Sequence, residues 1–392
     1  MAATTQTRAR HLTAVMRDVE QVTPLELFFD LVFVLAITQC TALMAADPTW
    51  HGVAQGLLVL AVLWWTWVGY SWLTSVVDPE AGAVRLVMFA AMAALLVLSL
   101  CVPRAFDDEA LLFAVAYAVV RVAHIALFLL ASRDEPELRR SVLGLAVGTA
   151  IGIALLFGAA AADGALQGIL WGLAIVLDTG GPFLFGQDGW KLMPGHFAER
   201  HGLIVLIALG ESIVAIGVGA EHGVDAGVAV ASVLGMAVAA AIWWLYFDVV
   251  AIAAARRLER AAEGHERNGV ARDSYSYLHF PIVAGIVLIA FGLKTTLAHV
   301  GDPLPLVPAV ALLGGTTVHL LGHVAFRLRN IGSLNRHRLT AAVVAAALIP
   351  AGTALPALAT LAILTAGLVV LLAYETIHFR ERRAQLRAQL AR

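Results

Sequence analysis

Apolar runs of membrane-spanning length recur from one end of this sequence to the other. A helix needs about 17–25 apolar residues to cross a bilayer. With 60% apolar and 14% charged residues, the chain has more apolar surface than a soluble fold can bury. The pattern predicts an all-α integral membrane protein and excludes a soluble enzyme or a nucleic-acid-binding domain. About 12 transmembrane helices are expected, over residues 25–46, 52–76, 83–102, 110–131, 141–161, 165–185, 197–219, 227–252, 275–298, 304–327, 339–352 and 357–379.

The basic residues are distributed unevenly between the two predicted sides of the membrane. All but three of the 26 Lys and Arg residues fall on the side that holds both termini. Arg104 lies in an opposite loop, and Arg121 and Lys294 lie within spans. Cytoplasmic loops of membrane proteins are enriched in Lys and Arg. We therefore expect both termini to be cytoplasmic.

The two halves of the chain resemble each other. Each half contains six predicted spans. Because six is an even number, both halves enter the membrane from the same side. The pattern predicts two parallel six-helix repeats, related by an axis along the membrane normal. The expected organisation is an N-terminal segment (1–24), a first repeat (25–186), a second repeat (187–379) and a basic amphipathic tail (380–392). The matching positions are Trp64-Trp65 with Trp243-Trp244, Glu26 with Glu199, His124 with His323, and Asp178-Thr179 with Glu375-Thr376.

Ionisable side chains within or next to the predicted spans are candidates for an ion or substrate pathway. A charge inside a bilayer is costly, so it has a partner, contacts water or serves a function. The candidates are Glu26, Asp30, Arg121, His124, Asp178, Glu199, Arg200, Glu211, Asp248, His279, His323 and Glu375.

The start of the first span predicts two different roles for its acidic residues. Thr23 and Pro24 are typical of an N-cap and a first helical position, and Glu26 suits the first turn. Asp30 lies one turn deeper, where the helix dipole no longer helps. We expect Asp30 to face a water-filled cavity or a buried partner, with Arg200 of a neighbouring loop as the obvious one.

Glu211 is isolated in a long apolar run near the middle of the seventh span. Two readings remain open and are compatible: a structural ion pair with Arg121, or a protonatable carboxylate that gates or carries a cation. Gly210, Gly217 and Gly219 would allow a helix to pack closely beside it.

The remaining motifs point away from metal and enzyme chemistry. His319 and His323 are four residues apart, but no third ligand lies at suitable spacing, so no metal is expected. The run 178–182 (DTGGP) indicates either a plain helix end or a helix that breaks early and lines a cavity with freed carbonyls. No nucleotide-binding loop or nucleophile motif occurs, which argues against an enzyme, and no cofactor is expected.

Several motifs resemble those of the bacterial low temperature requirement A (LtrA) family. Residues 23–34 (TPLELFFDLVFV) are similar to its opening motif, as are 199–203 (ERHGL), 209–212 (LGES) and the spacing of Tyr275, Tyr277, His279 and Pro281. The resemblance implies a multi-pass protein of the bacterial inner (plasma) membrane, linked by name to growth in the cold. It implies no reaction or substrate.

These observations predict a channel or proton-coupled carrier for a small ion or solute. One alternative is a membrane-embedded enzyme or lipid-handling factor with a cytoplasm-facing site that uses Asp248, His279 and His323 as acid–base groups. Another is a sensor or adaptor for the membrane state, in which charges only hold helices together. Expected partners are membrane lipids and the small ion or solute, with no nucleic acid; a homo-oligomer is compatible with such a chain.

Overall fold

Helices account for the whole architecture of the described chain. The computed structural model describes residues 21–184, 186, 189–221 and 223–381, and within them no β-strand forms. The first six helices are α1 (Pro24–Ala46), α2 (Trp50–Thr74), α3 (Gly82–Cys101), α4 (Ala110–Ala131), α5 (Pro136–Ala160) and α6 (Gly164–Leu184).

The second part of the chain contains interrupted helices. They are α7 (Pro194–Gly219), α8 (Ala226–Phe247), α9 (Val250–Arg260), α10 (His265–Val270), α11 (His279–Ala298), α12 (Leu306–Ala309), α13 (Gly315–Ile331), α14 (Arg336–Ala347), α15 (Ile349–Gly352) and α16 (Ala357–His378). Two π-helical segments, Ala271–Tyr277 and Val310–Gly314, join α10 to α11 and α12 to α13. The predicted basic tail, 380–392, lies almost wholly outside the described residues.

Every predicted span contains a helix, and ten helices of the described chain are long and apolar enough to cross a membrane. The predicted sixth and eleventh spans are not among the ten. The sixth, α6, contains Gln167 and Asp178, and the eleventh is divided between α14 and the four-residue α15. A multi-pass, all-helical membrane protein follows, whereas the count of twelve spans stays a prediction.

Of the two readings of residues 178–182, the early break is wrong. Helix α6 continues to Leu184 with Pro182 inside it. A proline removes a single backbone hydrogen bond, and here it does so in the last turn, where few bonds remain to be lost.

The helices of each half have parallel sets of neighbours. In the first half the contacting pairs are α1–α2, α1–α3, α2–α6, α3–α4, α4–α5 and α5–α6; in the second they are α7–α8, α7–α11, α8–α16, α11–α13, α13–α14 and α14–α16. The two halves meet where α1 and α2 contact α7 and α11. The junction of the halves is therefore built from the first two helices of the first half and from α7 and α11 of the second.

The repeated tryptophans occupy different environments. Trp64 and Trp65 of α2 are buried, together with Trp67, whereas Trp243 and Trp244 of α8 are 44% and 42% exposed. The outer surface of the bundle is rich in exposed Leu, Ile and Val. A surface of this kind suits contact with lipid acyl chains.

Candidate functional site

The first turn of α1 is fixed by a capping box. The Thr23 backbone N–H donates to the Glu26 carboxylate at 2.9 Å, and the Glu26 N–H donates to Thr23 Oγ1 at 3.3 Å. The predicted capping role of Glu26 is therefore confirmed. Pro24 follows the N-cap, where its missing N–H costs nothing.

Glu26 also belongs to a buried ionic cluster at the junction of the halves. We call Glu26, Asp30, His196 and Arg200 the inter-half cluster. Arg200 of α7 donates through Nη1 to Glu26 at 3.0 Å and through Nη2 to Asp30 at 2.6 Å. His196 Nε2 lies 2.8 Å from Glu26 Oε1. The four side chains are at most 2% exposed. Their charges are therefore compensated by the neighbouring charges of the cluster and not by water.

The predicted pairing of Asp30 with Arg200 is confirmed, although Arg200 lies in the second turn of a helix and not in a loop. Trp67 Nε1 donates to the same Asp30 oxygen, Oδ1, at 2.9 Å. Asp30 Oδ2 and Arg200 Nε have no hydrogen-bond partner within the described chain. Thr74 of α2 accepts from Arg200 at 3.0 Å, so two neighbouring helices, α1 and α2, hold this side chain of α7.

Glu199, the predicted repeat partner of Glu26, is exposed. Its carboxylate accepts from the Val22 N–H at 3.3 Å, just before the N-cap of α1, and within the described chain no hydrogen bond or ion pair joins it to the inter-half cluster. Adjacent residues of a helix lie about 100° apart, so Glu199 contacts the segment before α1 while Arg200 reaches the carboxylates of α1 itself.

Arg121 forms a second buried ion pair, within the first half. Its Nη2 donates to Asp178 of α6 at 2.8 Å and to Thr149 of α5 at 2.7 Å. Tyr117 donates to the other Asp178 oxygen at 2.7 Å. The expected pair between Arg121 and Glu211 is therefore not formed, because Asp178 satisfies the guanidinium from within its own half.

Glu211 interacts with α1 instead. Thr38 Oγ1 donates to its carboxylate at 2.5 Å, and the residue is 3% exposed. Of the three glycines expected to allow close packing, only Gly219 does so. A Cβ there would lie 2.8 Å from the Lys294 carbonyl oxygen, whereas nothing lies within 4 Å of one at Gly210 or Gly217.

His124 lies beside Arg121 on the wall of a small cavity of about 50 Å³. The residue is fully buried, and neither ring nitrogen has a partner within the described chain. Its ring packs against Tyr70 and Phe128. The volume exceeds the ~10–15 Å³ that one water molecule requires, so the cavity has room for water beside this residue.

Buried histidines and a tyrosine form a chain through the second half. We call His201, His279, Tyr246, His323 and His319 the histidine chain. The His201 and His279 rings lie 5.2 Å apart, and His279 Nε2 lies 2.8 Å from the Tyr246 hydroxyl. The Tyr246 and His323 rings are 6.0 Å apart, and His323 Nε2 lies 3.2 Å from His319 Nε2.

Backbone carbonyls set the tautomers along this chain. A carbonyl oxygen only accepts, so the Nδ1 atoms of His201, His279 and His319 donate to Phe197, Ser274 and Ile282, respectively. His279 Nε2 then accepts from the Tyr246 hydroxyl, and His323 Nε2 donates to His319. His201 Nε2 and His323 Nδ1 remain as acceptors without partners in the described structure.

His323 reaches a larger cavity, which we call the second-half cavity. It has a volume of about 260 Å³ and is lined by α8, α9, α13, α14 and α16 together with the connecting residues. Arg338 forms a two-bond ion pair with Glu375 on its wall, at 2.9 and 2.8 Å. Asp248 and Arg327 line the same cavity.

The twelve predicted residues therefore fall in several places. Glu26, Asp30 and Arg200 meet at the junction; Arg121, His124 and Asp178 lie in the first half; Asp248, His323 and Glu375 share the second-half cavity, with His279 linked to it through Tyr246. Glu199 and Glu211 lie apart from these groups.

Sequence reasoning missed four residues as site candidates: His196, His201, Tyr246 and Arg338. The signals were present, because His201 lies within the ERHGL motif and Tyr246 follows the second Trp-Trp pair. Among the described residues, no three His, Cys, Asp or Glu side chains are arranged to hold a metal ion.

Sequence comparison relates this chain to a known protein family. The family model described as "Bacterial low temperature requirement A protein (LtrA)" matches residues 21–373. An uncharacterized protein of Rhizobium meliloti (strain 1021) is 30% identical over 308 residues, which cover 76% of this chain and 75% of that protein. No solved structure matches the chain.

Proposed function

The chain belongs to the bacterial low temperature requirement A (LtrA) family, and on that premise we propose that it is a proton-coupled carrier of a small solute in the plasma membrane. The observation that supports the proposal is the histidine chain, which extends from the inter-half cluster to the second-half cavity. In a transmembrane bundle, buried ionisable residues of this kind form proton relays. The His201 ring packs edge-on against Trp67 at 4.8 Å, and Trp67 donates to Asp30, so one end of the chain lies next to the ionic cluster.

The inter-half cluster supplies a reason for proton binding. Glu26 and Asp30 carry two negative charges, and Arg200 supplies one positive charge. The four side chains are neutral together when His196 or one of the carboxyl groups holds a proton. An uncompensated charge in a buried site is strongly unfavourable. Proton uptake at this cluster therefore changes the electrostatic interaction that holds α1 against α7.

The arrangement of the helices fits alternating access. The matching neighbour pairs support two parallel six-helix repeats, and transport sites often lie at the interface of such repeats. The concentration of Lys and Arg on one side supports cytoplasmic termini. A small solute would enter the second-half cavity, and a proton would move between that cavity and the junction.

Replacing Tyr246 with Phe tests the relay with minimal change in shape. The hydroxyl is lost, so the hydrogen bond to His279 is broken while the ring packing remains. We expect proton flux into liposomes to fall at least about tenfold. Flux is read with an internal pH dye while K⁺, Na⁺ and H⁺ gradients are imposed in turn, with and without a panel of amino acids, carboxylates and sugars outside.

Tyr70→Phe is the matched control. Tyr70 is equally buried and donates one hydrogen bond, to the Val120 carbonyl at 2.9 Å, but it lies outside the histidine chain. Its flux should equal that of the wild type. Wild-type flux in Tyr246→Phe, or silence of the folded wild-type protein under every gradient, would refute the carrier.

A membrane-embedded enzyme acting on lipid is the second candidate, because Asp248 and His323 share one cavity wall. Such an enzyme would use these groups as an acid–base pair at the level of the lipid headgroups. Lipid analysis of the purified protein distinguishes the two functions. Chemical turnover of a lipid without any ion or solute flux would favour the enzyme.

A further inference from the structure

The second-half cavity differs from the small cavity beside His124 in both size and charge. At about 260 Å³ it approaches the ~300 Å³ at which small-molecule pockets begin. Two arginines and two carboxylates line it, whereas the small cavity is lined by Arg121 and Arg272 and by no acidic residue. Of these two cavities of the described chain, the second-half cavity is the one that combines room for a solute with charges of both signs.

The charged groups of this wall are held in place before any ligand enters. The Arg338 side chain is anchored by its two hydrogen bonds to Glu375. Its backbone N–H donates to the side chain of Asn335, the N-cap of α14, at 3.3 Å. The Arg338 and Glu375 side chains are 6% and 14% exposed. A preorganised pair of this kind requires no rearrangement to meet a ligand that carries both charges.

His323 adds a neutral acceptor to the same wall. Its residue is 1% exposed, and Nδ1 has no partner within the described chain. Because Nε2 donates to His319, Nδ1 carries a lone pair. A buried acceptor without a donor is unfavourable, so a donor that reached Nδ1 from the cavity would be favoured.

The rest of the lining is apolar. Leu245, Phe326, Leu372 and Phe379 contribute to it, with small and branched residues of α9. An apolar ligand side chain would therefore be buried next to the charged groups, with a gain of about 25 cal/mol for each Å² removed from water.

We propose that the second-half cavity binds a small α-amino acid with an apolar side chain. The ligand carboxylate pairs with the arginines, and its ammonium group pairs with Glu375 and Asp248. This inference rests on the proposed carrier function, since it names the class of its solute. A ligand with one charge would meet like charges on the same wall without the compensating opposite group, which disfavours it.

Three probes of nearly equal size test this recognition. L-leucine has both charges, 4-methylpentanoate lacks the ammonium group, and 3-methylbutylamine lacks the carboxylate. Binding to the full chain in detergent is measured by calorimetry. We expect the dissociation constant of L-leucine to be about ten- to a hundredfold lower than that of either analogue, since each lacks one charged contact.

The double variant Arg338→Gln with Glu375→Gln removes both charges without leaving one of them buried alone. We expect it to fold and to lose at least about tenfold in affinity for L-leucine. The matched control is Arg257→Gln with Glu266→Gln, which removes a more exposed pair with a separation of 2.9 Å outside the cavity. Its affinity should be unchanged. If the cavity double variant is unfolded, Asp248→Asn, at a half-buried carboxylate of the same cavity, should still weaken L-leucine more than 4-methylpentanoate.

The remaining results separate failure of the amino-acid site from failure of the carrier function. Equal binding of 4-methylpentanoate and L-leucine would show that only the carboxylate is recognised, and absence of binding by L-leucine would refute the site. Proton flux with another solute would then leave the carrier intact. Binding of L-leucine without flux would retain the site and refute the carrier.

Discussion

Replacing Arg200 with Gln is expected to lower the free energy of unfolding by about 3–5 kcal/mol. The substitution leaves Glu26 and Asp30 buried without the guanidinium that joins them, and both carboxylates are almost wholly removed from solvent. It also removes the link from α7 to Thr74 of α2. Unfolding in mixed micelles with increasing SDS, monitored by tryptophan fluorescence, measures the loss.

Arg329→Gln provides the control for this prediction. Arg329 pairs with Asp273 at 2.9 Å, but the side chains are 36% and 25% exposed. Solvent screens such a pair, so the expected loss is under about 1 kcal/mol. Equal losses in Arg200→Gln and Arg329→Gln would mean that the inter-half cluster does not stabilise the fold.

A double variant separates the lost ion pair from the lost packing. Asp30→Asn combined with Arg200→Gln leaves a neutral amide in place of one buried charge. His196 remains next to Glu26 at 2.8 Å. The double variant should therefore be more stable than Arg200→Gln alone, and a simple sum of the two single losses would contradict the coupling.

Local rules predicted the start of α1 well, since Thr23, Pro24 and Glu26 act within one turn. The pairing of Asp30 with Arg200 also followed from the sequence, because both lie near the same ends of their helices. The partner of Arg121 did not. Arg121 and Glu211 have similar predicted depths, but depth does not determine which helix faces meet, and that is decided by the packing of the bundle.

The environments of repeated motifs were equally hard to predict. Trp64-Trp65 and Trp243-Trp244 have the same sequence, yet the first pair is buried and the second is largely exposed. In a soluble protein, amphipathic periodicity would distinguish the two faces. Lipid-facing and protein-facing surfaces are both apolar here, so this signal is weak. The histidine chain was incompletely predicted for the same reason, because His201 and Tyr246 are brought together with His279 only by packing.

Close packing between α11 and a neighbouring segment leaves no room for a side chain at Gly292. A Cβ at Gly292 would lie 2.6 Å from Leu312 Cβ and 2.7 Å from the Leu312 Cα and backbone N. Leu312 belongs to the π-helical segment that packs against α11, and its backbone cannot move aside as a flexible side chain could. Gly292→Ala should therefore separate α11 from this segment and lower the free energy of unfolding by about 1–3 kcal/mol.

Gly217→Ala tests whether the loss at Gly292 comes from close packing or from helix chemistry. Gly217 is an exposed residue of α7, and nothing lies within 4 Å of a Cβ built there. Alanine is a better helix former than glycine by up to about 1 kcal/mol, so this variant should be as stable as the wild type or more stable. The same SDS titration compares them. Equal stability of the two variants would contradict the contact between α11 and Leu312, because helix propensity favours alanine at both positions and only the contact opposes it.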